Sequence, residues 1–97
     1  MLKTISLTIH GKVQGVYFRQ STKDKAIRLN ITGTVSNLPD GNVKVIATGT
    51  EEKLQELITW CHTGPRGADV IAVDVQQLPI AIFEKFLVVR NIWKLKM

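Results

Sequence analysis

Twice along this 97-residue chain the apolar pattern changes from a two-residue period to helical spacing and back, which restricts the fold more than any other feature. Near the start, Ile5, Leu7 and Ile9 alternate with Thr4, Ser6 and Thr8, the signature of a half-buried strand over about 3–10. Residues 11–19 then form a glycine-bearing connection. A helix is expected over about 21–29, with Ser21 and Asp24 at capping-box spacing, Thr22, Ala26 and Leu29 facing inward, and Asn30 as a left-handed stop. A second strand over about 32–38 runs into Pro39-Asp40-Gly41-Asn42, a strong turn signal, and a third over about 43–49 returns as a hairpin. Thr50 is placed to cap a second helix, with Glu51 and Glu52 in its first turn. Leu54, Leu57, Ile58 and Cys61 form that helix's apolar stripe, and the segment from His62 to Gly67 ends it. Strands over about 70–76 and 83–89 follow.

The order β-α-β-β-α-β, plus a short terminal strand pairing, specifies an α+β fold. It is that of a ferredoxin-like split βαβ sandwich, an antiparallel sheet with two helices on one face. Residues 1–90 read as one domain and 91–97 as a short C-terminal extension without an assignable role. The opening residues alternate like a strand, unlike a signal peptide, and no apolar run approaches the roughly 20 residues of a membrane span. With no partner for Cys61, which falls in the apolar stripe of a helix, an intramolecular disulfide is impossible and a buried, inert thiol is expected. A cytoplasmic location follows by elimination. The net charge of +5 favours an anionic partner in general but does not choose among a phosphorylated metabolite, a nucleic acid and a merely solubilising surface.

Chemistry concentrates in Gly11-Lys-Val13-Gln14-Gly15-Val16-Tyr17-Phe18-Arg19, which leaves a strand and enters a helix. Glycines allow a tight turn whose N–H groups point inward, beside the positive end of the next helix. Arginine at its close adds a planar fork matched to phosphate oxygens, while Val16 and Phe18 anchor the loop in the core. The spacing is neither a Walker A loop nor a dinucleotide fingerprint, so by physics alone an anion site and an ordinary glycine-rich turn both stay open. His10 and His62 lie far apart with no metal-ligand spacing around them. Asp24, Asp40, Asp69 and Asp74 read as cap, turn and surface residues, and Asn37 as a strand-end residue before the Pro39 turn. No metal and no paired-carboxylate catalysis are expected.

The stretch Gly11–Arg19 resembles the acylphosphatase hallmark G-[KR]-V-Q-G-V-x-F-R, and Gly33-Thr-Val35-Ser-Asn37 with the Asp40-Gly41 turn is similar to that family's second element. Gly64-Pro65 is similar too, and the resemblance covers roughly residues 5–90. It implies hydrolysis of the carboxyl–phosphate bond of acyl phosphates to a carboxylate and inorganic phosphate, the latter also an inhibitor. It also implies a phosphate cradle of Gly11, Gln14, Gly15, Val16, Tyr17, Phe18 and Arg19, with catalytic roles for Arg19 on the phosphoryl group and Asn37 on the attacking water. No cofactor is implied, and a monomer without membrane or specific nucleic-acid partners is expected. Asn30 and Ile31 depart from the family's frequent glycine and leucine, and Thr34 from a common aromatic. The alternative is a non-catalytic module of this fold that binds a small anion or RNA. An RNA-binding version needs sheet aromatics, and Val43–Gly49 has none.

Overall fold

In the computed structural model, residues 1–90 are described; the expected extension at 91–97 lies outside them. Seven elements follow the expected order: β1 (Leu2–Lys12), α1 (Phe18–Arg28), β2 (Thr32–Asn37), β3 (Val43–Thr50), α2 (Glu51–Thr63), β4 (Asp69–Leu78) and β5 (Phe86–Val89). The sheet order is β4-β1-β3-β2-β5. β3 lies antiparallel between β1 and β2, and β1 lies antiparallel between β3 and β4, so each βαβ unit is split by a strand of the other. The expected sandwich is therefore present, with one correction: the sheet is mixed, because β5 pairs parallel with β2. The reason is geometric. β4 ends at Leu78 beside Thr4, at the end of the sheet where β2 begins, and the short 79–85 connection crosses at that end. β5 must then run the same way as β2.

Alternation along the strands builds the core. Ile5, Leu7, Ile9, Val35, Val43, Val45 and Ala47 are buried and meet Phe18, Thr22, Ala26 and Leu29 of the α1 segment and Leu54, Leu57 and Cys61 of α2. Burial without a charged partner pushes the Cys61 thiol up to about 12, so it stays protonated and unreactive near neutrality. Thr50 caps α2 as its side chain accepts from the Lys53 N–H at 3.3 Å. Glu51, one residue on, meets Lys3 Nζ at 2.6 Å, and that ammonium holds its carboxyl below the usual range. At the far end of α1, Asn30 takes φ 57°, while Asn30 N donates to Ile27 O and Ile31 N to Ala26 O. That pair of bonds is a Schellman stop, with asparagine in the position glycine usually holds.

Across the open face of the sheet, the 79–85 crossing is pinned at Ala81. Ala81 N donates to Thr4 Oγ1 at 2.9 Å and Ala81 O accepts from Thr48 Oγ1 at 2.7 Å, with the two hydroxyls 2.6 Å apart. Both threonines are buried. Thr4→Val should therefore strand the Ala81 N–H and cost about 1–3 kcal/mol in urea unfolding, with the cleft chemistry little changed.

Candidate active site

One end of the sheet collects the C-terminal ends of β1, β2 and β5, the N-terminus of α1 and the 38–42 hairpin. A cleft of about 620 Å³ opens there, lined by Val13, Gly15, Tyr17, Phe18, Arg19, Gln20, Asn37, Val88 and Arg90. The two side chains singled out for catalysis, Arg19 and Asn37, thus come together although 18 residues separate them in the chain. No carboxylate lines the cleft among the described residues; its charged groups are the guanidinium groups of Arg19 and Arg90.

The start of α1 differs from expectation in a way that serves the site. The helix begins at Phe18, three residues before Ser21, so the Ser21–Asp24 pair lies inside it and caps nothing; Asp24 instead accepts from Gln20 Nε2 at 3.1 Å. Tyr17 occupies the cap position with φ 60° and provides no side-chain acceptor, and the first turn holds no acidic residue. The first helical bond runs from Ser21 N to Tyr17 O at 3.0 Å. The N–H groups of Phe18, Arg19 and Gln20 precede that bond, and all three residues line the cleft. An uncapped helix start facing a cleft presents both donors and the positive end of the dipole to an anion.

Core contacts fix this helix start. Phe18 is buried, its ring 5.7 Å from that of Trp60 at an interplanar angle of 58°, a tilted aromatic pair. Thr22 Oγ1 donates back to Phe18 O at 2.7 Å. Gly15 turns the loop at φ 76° with open space where a Cβ would stand. Gly11, expected in the cradle, marks a close approach of two strands. It sits at φ 129° where β1 slips register against β4, and a Cβ there would meet Asp69 O at 2.1 Å.

Gly11, Gln14 and Val16 do not line the cleft, whereas Gly15, Tyr17, Phe18 and Arg19 do. Gln14 turns its amide away to the hairpin, where Nε2 donates to Leu38 O and to Asn42 O, both at 2.9 Å. Both amide protons are used, so this side chain ties the loop to the hairpin that carries Asn37. Val16 packs partly buried against the core. Val13, inside the Gly11–Phe18 loop, lines the cleft too, and Gln20, Val88 and Arg90 are lining residues that the sequence reading did not find. Arg90 follows the last strand by one residue, outside both motifs, and only the parallel β2–β5 pairing brings it to the cleft. Of the histidines, His10 pairs with Asp74 at 2.8 Å across β1 and β4, and His62 stands in the last turn of α2.

The fold and this cleft define a small ferredoxin-like protein whose cleft gathers two arginines, an asparagine and an uncapped helix start. A family model described as Acylphosphatase matches residues 5–88. An acylphosphatase of Marinobacter nauticus is 52% identical over 73 residues, spanning 75% of this chain and 79% of the relative. An acylphosphatase of Methylococcus capsulatus is 39% identical over 92 residues, 94% of this chain and the whole of the relative. The solved acylphosphatase of Coxiella burnetii superposes with a TM-score of 0.87 at 37% identity, covering 90% of this chain and 92% of that one. The chain belongs to the acylphosphatase family and is an enzyme that hydrolyses acyl phosphates.

The Gln14 brace gives a direct test of how far the loop and hairpin act as one unit. Gln14→Ala should lower stability by about 1–2 kcal/mol through two lost hydrogen bonds and lower kcat, since Asn37 sits where the braced hairpin begins. Urea titration and steady-state kinetics on the same sample measure both effects.

Proposed function

We propose that Arg19 and the open N-terminus of α1 hold the phosphoryl group and that Asn37 orients the attacking water. The observation that carries this reading is the uncapped helix start, with Arg19 half-buried in its first turn and Asn37 across the same cleft. The water oxygen bonds to phosphorus, the bond from phosphorus to the acyl oxygen breaks, and the carboxylate leaves with the electron pair. A carboxylate is stable as an anion, so the leaving group needs no general acid. The water's proton passes to a phosphoryl oxygen, which removes the need for a protein base. What remains is positioning and charge stabilisation, the main contributions in phosphoryl transfer. Each well-aimed donor contributes about 3 kcal/mol to such a transition state.

Two experiments test these roles. Arg19→Ala should weaken inorganic phosphate as a competitive inhibitor and lower turnover together, because the guanidinium acts before and during the reaction. Asn37→Ala should leave phosphate binding near wild type while kcat falls about 100-fold or more, because water orientation matters only at attack. Wild-type turnover in the Asn37 variant would remove its assigned role.

Hydrolysis is proposed to be metal-independent, because a lining of cations and N–H donors repels a metal ion and itself supplies the positive charge. Activity should survive exhaustive chelation unchanged; loss on chelation with recovery in magnesium would contradict this. Among the described residues no helix is long and apolar enough to cross a membrane. We place the enzyme in the cytoplasm as a monomer without specific nucleic-acid partners. The free, buried Cys61 supports the compartment and the aromatic-free β3 supports the last point.

A further inference from the structure

We propose that Arg90 is a specificity-determining residue that directs the enzyme toward acyl phosphates whose acyl part carries a second negative charge. The inference rests on the phosphoryl-binding role given above to Arg19 and the α1 N-terminus. Its starting point is the β2–β5 register. Ser36 pairs with Val89, so the next step along both strands places Arg90 beside Asn37, about 5 Å away between neighbouring backbones. Val88 and Arg90, two residues apart on the same side of the strand end, both line the cleft with Asn37.

Exposure separates the two arginines. Arg19 is half-buried in the first turn of α1, whereas Arg90 is exposed at the rim. A substrate seated with its phosphoryl group on the helix start must direct its acyl part outward, past Val88 and toward that rim. The volume of about 620 Å³ leaves ample room, since a phosphoryl group displaces only a few waters of about 30 Å³ each. Among the described residues no lining carboxylate neutralises Arg90. A carboxylate or second phosphate on the acyl chain would find a bidentate partner there, and a neutral chain would not.

The test compares succinyl phosphate with butyryl phosphate, which match in chain length and differ by the terminal carboxylate. The quantity read is the ratio of their kcat/KM values, which does not depend on the fraction of folded protein in a sample. Wild type should favour succinyl phosphate. Arg90→Gln should lower the ratio about tenfold, as expected for a lost charge-assisted bond at a partly screened site. Arg90→Lys should retain most of it, and the wild-type preference should shrink as salt rises. A ratio unchanged in Arg90→Gln overturns the proposal, as does an equal loss on both substrates, which would assign Arg90 to the phosphoryl group. A wild type that bound phosphate through Arg19 but showed no preference would defeat only this inference. Failure to hydrolyse either compound would defeat the reading beneath it as well.

Discussion

The site depends on a helix that begins without a cap. Phe18, Arg19 and Gln20, whose N–H groups have no partner within the helix, line the cleft, and Tyr17 before them takes a left-handed conformation and offers no side-chain acceptor. A non-glycine residue in that region is strained by about 1 kcal/mol or more, and something must hold it. Phe18, one residue on, supplies the restraint through burial against Trp60 and the bond that Thr22 returns to its carbonyl. The start of α1 is thus fixed by the hydrophobic core. Gln14 extends the same rigidity to the hairpin by donating to Leu38 and Asn42, so loop and strand end share one frame.

Much of this was legible from the residues. Alternation in β1 and the Leu54-Leu57-Cys61 stripe marked the elements correctly, because burial there follows period directly. Asn30 was legible as a stop for the same local reason, since short polar side chains tolerate the left-handed region and the Schellman bonds are local. The start of α1 was misread because Ser21 and Asp24 satisfy a local capping rule while a tertiary contact decided otherwise. Burying Phe18 draws it and Arg19 into the helix, and the cap motif is overrun. The family pattern placed Arg19 and Asn37 at one site, and the cleft brings them together. It could not reveal the parallel seating of β5, nor that Gln14's amide faces the hairpin, because both depend on contacts more than twenty residues apart.

Gly11 and Gln14 show that residues of a motif can hold the backbone around a cleft. Gly11 is required where β1 and β4 approach too closely for a Cβ, and Gln14 is required for its two donors toward the hairpin. Both sit inside the hallmark stretch, yet each acts on the geometry of the backbone that carries the cleft. A loop whose N–H groups must hold their aim to within a few tenths of an ångström needs such residues as much as it needs the donors.

The reaction itself explains why so small a fold suffices. Cleaving a bond whose leaving group is already a stable anion demands no acid, and a phosphoryl group that accepts its own proton demands no base. The remaining demand is for fixed positive potential near the phosphorus, which on the proposed reading a helix N-terminus and one arginine would deliver without further titratable machinery. That economy leaves the outer cleft free of catalytic duty. On the proposed reading, variation at Arg90, beyond β5, would change which acyl groups are accepted and leave the phosphoryl seat intact. Selectivity in this architecture would then reside at the termini of its elements, where side chains can change without disturbing the core that aims the donors.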